Sequence, residues 1–280
     1  MKKFSLFLSL LTMTFSLIIS SCSSDEENNR IEENTAFPSY KIIGIYHNEN
    51  LDYIYDAIKE QSEKLKTRSK TDLRSIITED FLARSISEFA NITETMNFKQ
   101  YSKEINQVSF PIISSYYQCH NPSTRINTQE LFEEKLSQYN DTQKKYINMI
   151  LSAPEIDVCG FQSNIEKIIL KMEKDENLDY NERQIIYIAS AVAYGSYEYW
   201  TENLSKWEEL SGSDHIQTRV FSWSNMWQSD VEGTISGGIG GAIAGGSVSM
   251  GTLTVPGWAA GAVGGGVGGS AANAVGQIFF

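Results

Sequence analysis

The side chains with the most reactive chemistry are few: three histidines, His47, His120 and His215, and two of the three cysteines, Cys119 and Cys159. The histidines fall in unrelated segments. No His-Glu-x-x-His pattern, Gly-x-Ser-x-Gly pattern or phosphate-binding loop is present. The two cysteines fit no zinc-ligand spacing. We therefore expect no catalytic residue, no metal site and no cofactor, in a protein that is not an enzyme.

The remaining cysteine, Cys22, ends a secretory signal. Two lysines precede an uncharged, largely apolar run over residues 4–21, which is the pattern of a cleaved leader. The segment Ile19-Ser20-Ser21-Cys22 resembles the lipobox of bacterial lipoproteins, in which the cysteine becomes the lipidated first residue. A plain signal peptide with an incidental cysteine is the alternative. We expect cleavage before Cys22 and lipidation of its thiol.

An acidic tract over residues 23–29 follows Cys22. It resembles the export signal of surface lipoproteins of Bacteroidota, and a disordered, solvated tether is the alternative. Either way, the lipid on Cys22 anchors the chain without a transmembrane helix. We expect an outer-membrane, lipid-anchored protein at the cell surface, with release from the cell as a further outcome.

Export also bears on the other two cysteines. An even number of cysteines in an exported chain predicts a disulfide, here between Cys119 and Cys159. The bridge would close a loop of about 40 residues and stabilise the fold by a few kcal/mol. Two unpaired buried thiols are the alternative.

The net charge excludes one class of partner. The chain has 23 Lys and Arg against 35 Asp and Glu, and loss of Lys2 and Lys3 with the leader gives a mature net charge of −14. Binding to nucleic acid requires clustered Lys and Arg, so we expect no nucleic-acid partner. Simple attraction to anionic lipid is also disfavoured.

The middle of the chain predicts a helical body. Apolar side chains recur at helical spacing from about residue 50 to 212, most clearly over 181–207, with Pro111, Pro122 and Pro154 between the stretches. The β-branched run over residues 41–46 predicts a strand or an extended docking segment. His47 would then be a residue of the capping region before the first helix, or a titrating or binding residue.

The C-terminal tail has the most unusual pattern. From Gly233 to Phe280 there is no Asp, Glu, Lys or Arg. Glycine recurs at every fourth position in two runs, Gly233, Gly237, Gly241 and Gly245, then Gly257, Gly261, Gly265 and Gly269. Each run forms a stripe along one helix face, although glycine in a helix costs about 1 kcal/mol relative to alanine. The pattern predicts helices in close backbone contact, above all in a membrane.

Two tail helices are expected, over residues 231–248 and 258–280, with Pro256-Gly257 between them. Their lengths, about 27 and 35 Å, approach the ~30 Å hydrocarbon thickness of a bilayer. The apolar residues opposite the glycines are expected to face lipid: Ile235, Ile239, Ile243, Val263, Val267 and Val275. The predicted organisation is a mainly α fold with a signal peptide (1–21), an acidic tether (22–40), a helical body (41–220) and a glycine-zipper hairpin (221–280).

Polar and aromatic residues flank the tail. Asp230 and Glu232 are expected just before the first tail helix, at its positive end and in water. Trp223, Trp227 and Trp258 are placed like interfacial aromatics, although Trp223 and Trp227 would equally suit packing on the body. Membrane insertion and self-association have two alternatives, a flexible low-complexity tail and a structural hairpin stored within the protein.

The lipoprotein start, helical body and glycine tail together resemble the glycine-zipper antibacterial toxins of Bacteroidales. The segment Gly44-Ile45-Tyr46-His47-Asn48 and residues 188–200 also resemble an uncharacterised group of zipper proteins of Bacteroidota. Membership implies a body that recognises a target cell or masks the tail, and a tail that inserts into and permeabilises a membrane. The implied partners are a lipid bilayer, further copies of the chain and a cell-surface receptor.

Some such toxins are activated by cleavage after arginine, which suggests a cut at Arg68 or, second, at Arg125. The glycine spacing also occurs in outer-membrane scaffold lipoproteins. The alternative function is therefore a non-toxic lipoprotein whose hairpin oligomerises as a scaffold or pore.

Overall fold

Helices make up almost all of the structure, a computed structural model that describes residues 35–64, 81–82, 84–86, 128–153, 158–211, 223–244, 247–250 and 253–279. Residues Ala36–Phe280 belong to one compact unit. The mainly helical fold class predicted from the sequence is confirmed.

The helices, in chain order, are α1 (Phe37–Lys64), α2 (Thr128–Leu136), α3 (Asp141–Leu151), α4 (Val158–Glu173), α5 (Tyr180–Glu208), α6 (Trp223–Ala244) and α7 (Gly257–Phe279). A 3-10 turn (Glu209–Ser211) follows α5. Strands β1 (Ser247–Met250) and β2 (Leu253–Pro256) lie between α6 and α7 and pair antiparallel, with Val248 opposite Val255. This two-stranded ribbon reverses the chain between the last two helices.

Two helices begin at a capping box. At α3 the Asn140 side chain accepts a hydrogen bond from the backbone N–H of Gln143, and the Gln143 side chain accepts one from the backbone N–H of Asn140. Asp179 and Glu182 form the same pair at α5. These bonds satisfy N–H groups that have no partner within the helix. The Asn140 side chain also donates to Glu182 Oε1 at 2.8 Å, so the starts of α3 and α5 are joined.

Helices α1 and α5 are parallel and cross at a close backbone contact. A Cβ atom added to Gly44 would overlap the carbonyl oxygen of Ala191 and lie 3.5 Å from the Cα of Gly195. Aromatic pairs lie on either side of this crossing, Phe37 stacked on Tyr187 and Tyr55 edge-on to Trp207. Glycine is therefore required where the backbones meet, while large rings fill the wider space beyond.

The expectation of a strand or extended segment over residues 41–46 was wrong, because these residues lie within α1. Ile43 and Tyr46 are buried, whereas Ile42 and Ile45 are 43% and 40% exposed. Packing against α5 overrides the β-preference of these isoleucines. Helix α1 also begins at Phe37, which is fully buried, so the last four residues of the expected tether are helical.

Helix α6 begins earlier than the sequence suggested. It starts at Trp223 rather than near residue 231, so Asp230 and Glu232 lie inside the helix instead of before it. Asp230 is fully buried, and the expectation that it sits in water was wrong. Trp227 is also fully buried and meets Phe161 of α4 edge-on, which is the packing alternative and not an interfacial position.

Helix α7 lies in the interior. Every residue from 259 to 276 is buried, including Val263, Val267 and Val275. Ile235 of α6 is fully buried as well. The expectation that these side chains face lipid was therefore wrong for this structure, in which the rest of the protein covers them.

Candidate functional site

The glycine stripes of α6 and α7 face each other. A Cβ atom added to Gly233 would overlap the carbonyl oxygen of Gly265, and one added to Gly237 would overlap that of Gly261. A Cβ atom on Gly269 would lie 2.5 Å from the carbonyl oxygen of Ser229. The contacts advance along α6 as they retreat along α7, so the helices are antiparallel. We call α6, β1, β2 and α7 the glycine hairpin.

A polar contact adds to the backbone contact between the two helices. Asn273 of α7 donates from Nδ2 to Ser229 Oγ of α6 at 2.6 Å, and Gln277 Nε2 donates to Asn273 Oδ1 at 2.9 Å. This contact lies near the start of α6 and the end of α7, opposite the β-ribbon. The hairpin is thus joined at both ends and along its length.

A few specific contacts join the body to the hairpin. Tyr139, after α2, donates from its hydroxyl to the Ile235 carbonyl oxygen of α6 at 2.9 Å. Ile185 of α5 packs against Gly238, since a Cβ atom added to this glycine would lie 2.8 Å from Ile185 Cδ1. Glycine on this face of α6 therefore admits the body's side chains as well as α7.

A buried polar cluster centred on Asp230 connects the body to both hairpin helices. His47 Nε2 of α1 lies 3.2 Å from Asp230 Oδ1. On α5, Ser196 Oγ donates to Asp230 Oδ2, and Trp200 Nε1 lies 3.2 Å from the same oxygen. The Trp200 indole also donates to Ser270 Oγ of α7 at 2.9 Å. These five residues, all fully buried, are the Asp230 cluster.

The electrostatics of the cluster favour an ion pair. Burial alone opposes the charged imidazolium of His47, but the Asp230 carboxylate and the hydrogen bonds to Asp230 and Asn48 outweigh it and raise the pKa of His47 above its usual value. Asn48 Oδ1 lies 3.0 Å from His47 Nδ1, and Asn48 Nδ2 donates to the Gly195 carbonyl oxygen at 2.9 Å. Asn48 thus orients the imidazole and ties it to α5.

Glu232 is a second perturbed carboxyl on α6. Burial raises the pKa of Glu232 to about 7, and the nearby Glu133 carboxylate of α2 adds to the rise. A carboxyl held in this state loses its proton near neutral pH, where an ordinary glutamate is fully ionised. The body–hairpin contact therefore contains two groups whose charge depends on the packing around them.

The arrangement of the Asp230 cluster differs from that of a nucleophilic triad. In a nucleophilic triad the serine bonds to the histidine, and the carboxylate orients the histidine. Here Ser196 and His47 both contact Asp230, and all three side chains are buried. The described residues contain no group of three or more His, Cys, Asp or Glu side chains placed to hold a metal ion.

The glycines singled out in the sequence divide into two sets. Gly233, Gly237, Gly261, Gly265 and Gly269 lie at the contact between α6 and α7. Gly241 and Gly257 are helical, but the structure does not describe their surroundings, and Gly245 lies outside the described residues.

Six other residues that the sequence singled out lie outside the described part of the chain: Cys22, Arg68, Cys119, His120, Arg125 and His215. Cys159 of α4 is disulfide-bonded. The pairing with Cys119 therefore stays a prediction.

Sequence reasoning missed the role of the Asp230 cluster. The sequence pattern suggested a solvated charge at Asp230 and a capping-region residue at His47. A signal was present, because Asp230 follows Met226 and Trp227 at helical spacing and stands beside the uncharged tail. A lone carboxylate on an apolar helix face predicts a buried partner of opposite charge.

Comparison with known proteins returned no match to a family model, a curated protein or a solved structure. Within the described residues, no helix combines the length and apolar character needed to cross a membrane.

Proposed function

We propose that this protein is a surface lipoprotein toxin that stores a membrane-active glycine hairpin inside a helical body. Release of the hairpin, for which cleavage after an arginine is one route, lets it insert into and permeabilise a target-cell membrane. The observation that carries the proposal is the burial of the uncharged helix α7 from residue 259 to 276 beneath the body.

The internal contacts of the hairpin support the idea that α6 and α7 stay packed on each other after release from the body. Helices α6 and α7 meet through glycine backbone and the Ser229–Asn273 hydrogen bond, both within the hairpin itself. Close backbone contact at small residues is the means by which helices associate in lipid, where the hydrophobic effect does not draw them together. The packing of the two helices therefore suits both the protein interior and a lipid bilayer.

The distribution of basic residues also supports release by proteolysis. The last basic residue in the sequence is Arg219, just before α6, and none follows to Phe280. A protease that cuts after Lys or Arg can thus digest the body and leave residues 220–280 as one fragment. That fragment contains both hairpin helices and the ribbon between them.

The stored state leaves some polar groups unsatisfied. Among the described residues, the side-chain amide of Asn50 and the indole nitrogen of Trp227 are buried without a hydrogen-bond partner. An unsatisfied buried polar group costs about 1–3 kcal/mol. Trp227 belongs to α6, so release of the hairpin would relieve part of this cost.

The test is leakage of an entrapped dye from vesicles of phosphatidylethanolamine and phosphatidylglycerol. Mature protein is added intact, and trypsin is then added. We expect little leakage before digestion and strong leakage after it, with residues 220–280 recovered in the vesicle pellet and protected from proteinase K.

The control variants replace glycines at the hairpin contact and a neighbour away from it. Gly237→Leu combined with Gly261→Leu should abolish leakage after digestion, because the two side chains occupy the space between the helices. Ser236→Leu introduces the same side chain at a partly exposed position of α6 and should leave leakage unchanged.

Absence of leakage from wild-type protein after digestion, with the fragment left in the supernatant, would overturn the proposal. The alternative, a non-toxic lipoprotein that assembles as a scaffold, has a different result. In that case the fragment binds vesicles and cross-links into oligomers, the dye is retained, and purified protein does not kill related strains.

A further inference from the structure

We propose that Asp230 is the latch that holds the glycine hairpin in the body, so that loss of its charge loosens α6 and α7 while α1 and α5 stay packed. The biological meaning of this latch rests on the proposed function, but its existence does not. It follows from the position of the carboxylate and from the elements that contact it.

Asp230 belongs to the hairpin, whereas its partners come mainly from the body. His47 is on α1, and Ser196 and Trp200 are on α5. Trp200 extends the same network to Ser270 on α7. One carboxylate on α6 thus connects two body helices directly and the second hairpin helix through a single indole.

The apolar contacts of α7 with the rest of the protein are weak for each residue. The buried side chains of α7 are mainly alanine and valine, among glycines that bury no side chain. Hydrophobic stabilisation follows the apolar area buried, so small side chains contribute little individually. The hydrogen bond from Trp200 to Ser270 is therefore a specific contact of α7 with the body, and loss of the cluster has a large effect on this helix.

The body has contacts that do not involve Asp230. The α1–α5 crossing at Gly44 and Gly195 is backbone packing, and Tyr55 meets Trp207 beyond it. Trp207 Nε1 donates to Tyr199 Oη at 3.0 Å, within α5. These contacts remain when Asp230 changes.

The carboxylate also balances a buried charge. Replacement of Asp230 by asparagine keeps the shape but removes the carboxylate that stabilises a protonated His47 in the interior. It also replaces a charged acceptor by a neutral amide, so the hydrogen bonds from Ser196 and Trp200 become weaker and His47 must change its role from donor to acceptor. Movement of α6 away from the body restores access to water for these groups.

The experiment is hydrogen–deuterium exchange of the full mature chain, read separately over α1, α5, α6 and α7. In Asp230→Asn we expect exchange in α6 and α7 at least tenfold faster than in wild type, with a much smaller change in α1 and α5. Asp56→Asn, which makes the same change at an exposed position of α1, is the matched control and should leave all four helices unchanged.

Two outcomes would overturn the latch. Unchanged exchange in α6 and α7 would mean that Asp230 does not hold the hairpin. Equal acceleration in all four helices would mean that Asp230 supports the whole core.

A milder variant keeps the test decisive if Asp230→Asn fails to fold. Ser270→Ala removes only the α7 end of the network and should accelerate exchange in α7 more than in α5, whereas equal or absent effects would count against the latch. If digested protein causes no leakage from vesicles, the proposed function fails but the exchange result still stands, because exchange is measured without lipid.

Discussion

Two pairs of helices in this protein use glycine for close approach, and they differ in everything around it. Helices α1 and α5 meet at one crossing, Gly44 with Gly195, and large rings fill the space on both sides. Helices α6 and α7 meet along a stripe from Gly233 to Gly269, among alanine, serine and valine. The first pair is stabilised by its own side chains, whereas the second depends on backbone contact and on the body that covers it.

The comparison shows that glycine in a helix can serve two kinds of packing. At Gly44 the missing side chain brings large neighbours into register, so the contact belongs to an ordinary core. Along α6 and α7 the missing side chains make a smooth surface with little apolar area of its own. The first arrangement fixes one fold in water, whereas the second, under the proposed function, suits both storage beneath the body and insertion into lipid.

The largest expected effect comes from adding a methyl group at each kind of contact. Gly44→Ala forces α1 from α5 and should lower the free energy of unfolding by about 1–3 kcal/mol, as overpacking does. Gly237→Ala should instead accelerate hydrogen exchange mainly in α6 and α7. Thermal unfolding and hydrogen exchange measured for each helix check both predictions, with Ser236→Ala as the control. Identical exchange patterns in Gly44→Ala and Gly237→Ala would contradict the difference between the two helix pairs.

Two tryptophans sharpen the comparison at a smaller scale. Trp200→Phe removes the N–H group that joins Asp230 to Ser270, and Trp207→Phe removes one that stays within the body. Each should cost about 1–2 kcal/mol, because a buried acceptor loses its donor. Only Trp200→Phe should loosen α7 relative to α5 in hydrogen exchange, and a loosened α7 in Trp207→Phe would argue that body and hairpin form one cooperative core.

The smallest expected effect is a pH dependence. The pKa of Glu232 is raised from 4.5 to about 7 in the fold, so the protonated carboxyl stabilises packing below pH 4.5 and this stabilisation is lost as the pH rises to about 7. The pKa of His47 is also raised, so its contribution is present below about 6.5 and disappears as pH rises through the higher folded value. Both signs predict a looser hairpin at higher pH.

Thermal unfolding between pH 4.5 and 7 measures the Glu232 contribution, which we expect to be on the order of 1 kcal/mol because solvent screens this partly exposed side chain. The groups involved are Glu232 and Glu133 in one contact, and His47, Asp230 and the nearby Tyr199 in the other. Glu232→Gln should flatten this part of the profile, and Glu60→Gln, on the exposed side of α1, should not. A profile that rises with pH in wild type would contradict the assignment.

The sequence predicted the helices better than their surroundings. The apolar spacing over residues 181–207 matches α5, because a helix that buries one face has apolar residues at a regular spacing in the sequence. The stripe of Gly233 and Gly237 similarly indicated close helix packing. Local spacing carries this information because both features arise within one helix.

Other features depended on contacts that no local pattern records. His47 and Asp230 belong to helices far apart in the chain, and only the fold brings them to 3.2 Å. The isoleucines near Gly44 suggested a strand until packing against α5 is taken into account. Ile235 and Val267 have the same spacing whether lipid or protein covers them, so periodicity alone predicted an apolar face without identifying its neighbour.

The burial of α7 has a consequence for how the chain acquires its structure. This helix follows all the other described helices in the sequence, yet its residues fill the interior between α1, α5 and α6. Contacts between segments so distant in the chain raise contact order and slow folding. During synthesis, the inward faces of α1, α5 and α6 therefore stay uncovered until α7 has been made, and we expect the protein to depend on chaperones until then.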